Sequence, residues 1–177
     1  AGMGIPREYK ATGTIPTKGL FNTVTHWDME AVYANGVPLR FMDDQTARKE
    51  LPKFGFDGLK FRGDCTVFKG SKGWVSVSRG VLQASSEEVR RRAKEPGPVR
   101  LPESKDHKRN FIDSVLSRQQ PVGTLDSAIQ SDLMCHMADL CIRTKETLKW
   151  DPKKETVLGS KEAVSLMDRP MRAPWTL

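Results

Sequence analysis

Residues 25–42 read THWDMEAVYANGVPLRFM, and this stretch decides the first part of the fold. Apolar and polar side chains alternate on both sides of Ala34-Asn35-Gly36, which is typical of two strands joined by a tight turn. A two-residue Asn35-Gly36 loop would set the two apolar rows on opposite faces. A three-residue loop brings both rows to one face, so we predict that loop, with Gly36 in the left-handed region. The predicted pairs are Tyr33 with Val37, Ala31 with Leu39 and Met29 with Phe41.

Short strand-like segments with turn residues between them follow this hairpin. They cover residues 59–62, 65–69, 74–78 and 81–84, and Gly70-Ser71-Lys72-Gly73 is the clearest tight turn. Such short connections join antiparallel neighbours, because a parallel crossover needs about a dozen residues or more. The first half of the chain is therefore predicted to be a meander-like antiparallel sheet, and residues 148–150 add a short strand later.

The second half is predicted to be mainly helical. A capping box at Ser85-Ser86-Glu87-Glu88 begins a helix that Pro96 ends, and further helices cover residues 106–118, a long segment after Thr124, and 160–167. Residues at helical spacing predict buried faces on two of these helices; they are Phe111, Ile112, Val115 and Leu116, then Ile129, Leu133, His136, Met137 and Leu140. Strands first and helices later indicate the α+β class: a largely antiparallel open β-sheet with helices packed on one face.

Length and composition describe one soluble globular domain. The chain has 177 residues and 37% hydrophobic residues, close to the usual domain size of about 150 residues. We predict a single domain over residues 1–177, with 1–12 as a linker or extended arm and 169–177 as a surface tail. No apolar run is long enough for a membrane span, and residues 1–20 do not resemble a secretion signal.

The formal charge of +7 raises the question of an anionic partner. The densest basic cluster, Arg90-Arg91-Arg92 with Lys94, has glutamates within the same stretch and no interleaved aromatic residue. We therefore predict a solvated helix face there, with neither a nucleic-acid nor a membrane partner. Cys65, Cys135 and Cys141 contain no CxxC spacing, which favours free buried thiols over a disulfide framework or a zinc site.

Two groups of polar residues are candidates for chemistry. Asp132 and His136 share a helix face and could bind a metal, although a core histidine held by a neighbouring carboxylate is the favoured interpretation. His26, Asp28 and Glu30 line one face of the first hairpin strand, where a polar binding surface and a solvated or interface face are equally acceptable. Gly70-Ser71-Lys72-Gly73 lies between strands and is too short for a phosphate loop. No nucleophilic triad can be assembled.

Six strings taken together resemble one known family. They are GLFNT at 19–23, THWD at 25–28, YANGV at 33–37, GWVSVSRG at 73–80, LKWDP at 148–152 and RPMRAPW at 169–175. In this order they resemble the carboxy-terminal domain of the Gfo/Idh/MocA oxidoreductases, named after glucose-fructose oxidoreductase and inositol dehydrogenase. The resemblance extends from about residue 13 to the end of the chain.

The resemblance implies a dihydrodipicolinate-reductase-like carboxy-terminal domain of a two-domain dehydrogenase. An amino-terminal Rossmann domain, which is absent from this sequence, would bind NAD or NADP and hold the catalytic lysine; the chain is then a fragment or excised domain, with no catalytic, cofactor-binding or metal residue assigned to it. Its implied role is substrate contact and homodimerisation through sheet faces, in a cytoplasmic enzyme that oxidises or reduces a sugar, cyclitol or related polyol. The alternative is a stand-alone carbohydrate-binding or protein-interaction module. Polar residues in or beside the family-like strings give the candidate substrate-binding set: Lys18, Asn22, His26, Asp28 and Arg79.

Overall fold

The computed structural model describes residues 4–168 and 171–176, and they fall into two compact units. The first unit is drawn from residues 1–43 and 123–177, and the second is residues 44–122. The strands are β1 Glu8–Thr14, β2 His26–Val32, β3 Pro38–Met42, β4 Thr66–Gly70, β5 Gly73–Ser78, β6 Val81–Ala84, β7 Leu148–Asp151 and β8 Thr156–Leu158. The helices are α1 Asp44–Glu50, α2 Glu87–Lys94, α3 His107–Ser117, α4 Leu125–Thr144 and α5 Lys161–Leu166, and a 3-10 turn covers Leu51–Phe54.

The first unit is built on a five-stranded antiparallel sheet in the order β3-β2-β1-β7-β8. The predicted hairpin is confirmed: Met29 pairs with Phe41 and Ala31 with Leu39. Tyr33 N–H donates to the Val37 carbonyl at 3.0 Å, and Gly36 has a φ of 81°. The three-residue loop therefore sets the register that puts both apolar rows on one face.

The core of the first unit lies between this sheet and the carboxy-terminal half of α4. Tyr9, Met29, Met137, Cys141 and Leu148 are its largest fully buried side chains. The Cys141 thiol donates to the Tyr9 carbonyl at 3.4 Å. Burial raises the pKa of Cys141 to about 11, because the thiolate would lose its hydration. These contacts join α4 to the central strand β1.

The last part of the predicted linker or extended arm, residues 8–12, is instead part of β1, Glu8–Thr14, at the centre of the sheet, while residues 1–3 lie outside the described part of the chain. Tyr9 and Ala11 face the core and their neighbours face outward. Only one of these inward residues is large, so the alternation is a weak signal. The described residues of the predicted tail, 171–176, are all exposed, whereas positions 169, 170 and 177 lie outside the described part of the chain.

The second unit contains a three-stranded meander, β4-β5-β6, with Gly70 paired to Gly73 across the predicted turn. The sheet expected over the first half of the chain is therefore divided, because the first hairpin pairs with β1, and β1 pairs with β7 from the far end of the sequence. Residues 59–62 do not form the expected strand. Their segment is held beside β6 by the Gln83 amide, which exchanges two hydrogen bonds of 3.0 and 2.9 Å with the Lys60 backbone.

Two helices of the second unit, α2 and α3, begin at side-chain caps. Ser86 accepts from Val89 N–H at 3.2 Å at the start of α2, and Asp106 accepts from Lys108 and Arg109 N–H at the start of α3. The apolar stripe of α3, predicted to be core, is exposed instead: Phe111, Ile112, Val115 and Leu116 keep between 47 and 74% of their accessible surface. Periodicity shows which side of a helix is apolar, but it does not show that another element covers that side.

Both units place helices against antiparallel sheets, with α4 on β1 in the first and α2 on β5 and β6 in the second. The α+β class predicted from the sequence is confirmed. The single domain predicted over residues 1–177 remains a prediction.

Candidate functional site

The five-stranded sheet has one face against the core of the first unit. Strand alternation puts His26, Asp28 and Glu30 of β2 on the opposite face, as predicted from the sequence. The register adds Thr12 and Thr14 from β1 and Arg40 from β3. We call this surface, defined by these residues, the open face.

Arg40 organises the carboxylates of the open face. Its Nε donates to Asp28 Oδ1 at 2.7 Å, its Nη2 contacts Asp28 Oδ2, and its Nη1 lies 3.6 Å from Glu30 Oε1. A guanidinium that binds a carboxylate through two parallel hydrogen bonds fixes the orientation of both groups. Asp28 and Arg40 are only 20 and 26% exposed in their side chains, so this pair is more rigid than a fully solvated ion pair.

His26 is oriented by a buried aspartate at the end of β3. His26 Nδ1 lies 3.4 Å from Asp43 Oδ1, and Asp43 Oδ2 accepts from Trp27 N–H at 2.9 Å. Asp43 N–H in turn donates to the Trp27 carbonyl at 3.2 Å. Because Nδ1 faces the carboxylate and no described residue bonds Nε2, Nε2 is the ring nitrogen left for a ligand.

The remaining predicted residues lie elsewhere. Lys18 and Asn22 belong to the loop between β1 and β2 and are exposed; the Asn22 carbonyl accepts from Arg143 Nη2 at 3.1 Å. Arg79 belongs to the second unit, is almost fully exposed, and lies 3.4 Å from Asp64. His26 and Asp28 are thus brought onto one surface, while a substrate-binding role for all five residues remains a prediction.

Arg40 and Asp43 are the site residues that the sequence reasoning missed. The predicted register carried the signal for Arg40, since it places this residue directly across from Glu30 and diagonally from Asp28. Asp43 lies one position beyond the last paired residue of β3, so its contact with the Trp27 backbone is visible only in the structure.

The second sequence candidate, Asp132 with His136, is an exposed pair on α4. His136 Nε2 is 3.2 Å from Asp132 Oδ2, and both side chains are about 70% exposed. The favoured core-histidine interpretation was therefore wrong, because His136 lies on the exposed side of α4, although the next two residues, Met137 and Ala138, are buried. In the described part of the chain, no cluster of three or more His, Cys, Asp or Glu residues has the geometry to hold a metal. Within the same residues, no helix has the length and apolarity to cross a membrane.

The described residues do not fit a dinucleotide site. Such a site needs a glycine-rich turn from a parallel strand into a helix. Here the strands that precede helices are connected to them by Asp43, by Ser85-Ser86 and by Gly159-Ser160, and every described strand pair is antiparallel. Binding of NAD or NADP therefore cannot be assigned to these residues.

Fold and site together define an α+β domain of antiparallel sheets backed by helices, with a polar open face. Comparison with known proteins identifies the family. Residues 64–177 match the sequence profile of the oxidoreductase family, C-terminal alpha/beta domain, of the Gfo/Idh/MocA group. The chain belongs to this family. No curated protein and no solved structure matched in the two other comparisons.

The matched stretch begins inside the second unit and runs through α4 to the end of the chain. It includes Arg79 but none of the open-face residues. The family match therefore gives no information about the open face, and any role proposed for that face has to be argued from the geometry of its side chains.

Proposed function

We propose that this chain is the substrate-binding part of an NAD(P)-dependent oxidoreductase that acts on a sugar, cyclitol or related polyol. Family membership supports the oxidoreductase class. The observation that carries the substrate proposal is the convergence of His26, Asp28, Glu30 and Arg40 on the open face. The dinucleotide would be held by a preceding Rossmann domain and would supply the hydride chemistry, and the cytoplasm is the compartment we assign.

The chemistry of the open face suits a ligand with several hydroxyl groups. Carboxylates accept hydrogen bonds, guanidinium donates them, and threonine hydroxyls do both, as do the hydroxyls of a polyol. Thr12 lies across from Asp28, and Thr14 lies across from His26. Acceptors and donors therefore alternate on rigid strands, which lowers the entropy lost when a ligand is ordered.

Homodimerisation is proposed for the other end of the same sheet. At this end, one residue from each of the five strands forms a continuous row of paired residues, which runs from β3 to β8 as Pro38, Val32, Glu8, Lys149 and Leu158. Val32 and Leu158 are 40 and 46% exposed at its two sides. Between them Glu8 and Lys149 have opposite charges, so two copies related by a twofold axis would bring apolar ends and opposite charges together. Light scattering should show a dimer that Val32→Glu with Leu158→Glu converts to monomer; a monomer at every concentration of the unaltered protein would refute this.

The substrate proposal is tested by titrating myo-inositol and glucose into the 177-residue chain and following amide NMR shifts. The variants are His26→Ala and Asp28→Asn. The chain supplies a matched control in His136→Ala and Asp132→Asn, a pair of the same residue types on an exposed helix. Loss of the shifts in the first pair alone supports the site. Equal responses in both pairs would remove His26 and Asp28 from it.

The stand-alone binding module is the second candidate, because the hydrogen-bonding groups of the open face suit a polyol whether or not the chain works beside a Rossmann domain. The two functions are separated by assaying polyol oxidation, with NAD and with NADP, in protein that contains an upstream Rossmann domain. Formation of the reduced nicotinamide supports the dehydrogenase. Polyol binding without any turnover supports the module.

A further inference from the structure

The second unit contains a cavity of about 440 Å³ beside the edge strand β6. One side is formed by the segment around Lys60 and Arg62, the other by β6, and Arg90 of α2 contributes a third cation. Trp74, only 5% exposed, supplies an apolar wall. We call this the basic cavity. Its volume is in the range of sites for small molecules, about 300–1,000 Å³.

The walls of the basic cavity are held in position by an unusual contact. Gln83 uses both ends of its side-chain amide on the Lys60 backbone, with Lys60 N–H donating to Oε1 and Nε2 donating to the Lys60 carbonyl. Both backbone groups of Lys60 are therefore hydrogen-bonded, as they would be if this segment were paired with a strand. The segment carrying Lys60 and Arg62 is thereby fixed next to β6, so the cations are presented from a defined backbone.

The charge of the basic cavity is not compensated by its own walls. Lys60, Arg62 and Arg90 line it, and none of its lining residues is acidic. Arg90 is paired with Glu87 at 3.2 Å, but Glu87 is 79% exposed and outside the lining. Within the described part of the chain, no carboxylate lies within ion-pair distance of Lys60 or Arg62. Cations gathered in a concave site concentrate a positive potential there.

We propose that the basic cavity binds the phosphate group of a small phosphomonoester. The doubly charged oxyanion would be contacted by Arg62, Lys60 and Arg90, and the organic part of the ligand would lie against Trp74. Arginine suits this role because its planar group donates parallel hydrogen bonds to phosphate oxygens. The site uses no residue of the open face and does not depend on the function proposed above.

The test uses inorganic phosphate and glucose 6-phosphate as probes, with the unaltered 177-residue chain, at constant ionic strength. Calorimetry gives the affinity, and the indole N–H signal of Trp74, assigned by Trp74→Phe, reports the location. Arg62→Gln and Arg90→Gln are each expected to weaken binding roughly tenfold, the loss of one charge-assisted hydrogen bond. Lys72→Gln and Arg91→Gln are the charge-matched controls, because both residues are exposed and lie outside the cavity lining.

Binding that is reduced in the cavity variants and kept in the controls supports the site. Equal weakening in all four variants would show only a general attraction to positive charge and would overturn the proposal. A random DNA duplex is included as a competitor. Displacement of the phosphomonoester by this duplex at lower concentration than by phosphate would also overturn it, since the cations would then serve a nucleic-acid surface. Circular dichroism verifies that each variant is folded.

Discussion

Gly13 in β1 is expected to be a position where alanine destabilises the protein. Replacing a strand glycine by alanine normally raises stability by about 0.4–1 kcal/mol, because the unfolded chain loses freedom. A Cβ at Gly13 would lie 2.6 Å from the His26 carbonyl oxygen, 2.7 Å from Ile142 Cδ1 and 3.1 Å from Val24 Cγ1. The first of these atoms belongs to the neighbouring strand's backbone, so it cannot turn aside as a side chain can.

The size of the effect follows from these contacts. Overpacking a filled core costs about 1–3 kcal/mol, and the gain from the unfolded state offsets part of it. We therefore expect Gly13→Ala to lower the free energy of unfolding by about 1–2 kcal/mol. Ile142→Val removes Cδ1, so adding it to Gly13→Ala should recover only the side-chain part of that loss and leave the contact with the carbonyl.

Urea denaturation followed by circular dichroism measures the change, and hydrogen exchange of β1 and β2 locates it. Gly123→Ala is the control in the same unit, because its added Cβ would meet nothing within 4 Å. The control should be neutral or slightly stabilising. A Gly13→Ala protein as stable as the control would refute the close approach of β1 to β2 at this position, and with it the placement of His26 that depends on that approach.

Three further outcomes are expected. Tyr9→Phe should leave stability unchanged or raise it in the same urea assay, because the Tyr9 hydroxyl is buried without a partner among the described residues; a loss above about 1 kcal/mol would reveal a hydrogen bond not described here. The pKa of Cys141 is raised from 9.0 to about 11 by burial, so the folded thiol stays neutral where the unfolded one ionises. Its contribution to stability is complete below about pH 9 and is lost as the pH rises toward 11; Cys141→Ala should show a shallower decline than the unaltered protein in urea titrations over that range, and an equal slope would contradict the assignment. Asp106→Ala should speed hydrogen exchange throughout α3, since Asp106 caps two N–H groups at 2.9 and 3.0 Å, a contribution of about 1 kcal/mol; Asp113→Ala, which leaves the cap intact, is the control, and equal exchange in both variants would show that the cap does not limit opening.

The first hairpin was predictable down to its register because its information is local. Alternation over 25–42 and a loop of one length suffice to fix which side chains share a face. The same local reasoning found the helix beginning at Ser160, whose side chain caps Ala163 N–H at 3.1 Å. It failed for β1, whose partners β2 and β7 come from well-separated parts of the chain. It also missed α1, in which Ala47 is the one buried residue.

The two halves of the open-face site differ in the same way. His26 and Asp28 were identified because a single strand places them side by side. Arg40 was already implied by the predicted loop length, since the register that pairs Ala31 with Leu39 also sets Arg40 across from Glu30.

Asp43 could not be identified in this way, because it lies beyond the last paired residue of β3, and its carboxylate accepts from the Trp27 N–H of β2. A contact between side chains of paired residues on neighbouring strands can therefore be inferred from the register. A contact made by a residue that follows the last pair depends on where the pairing stops, and the register does not give that position. The orientation of His26 is of the second kind, so its ligand-facing nitrogen is information that only the three-dimensional structure supplies.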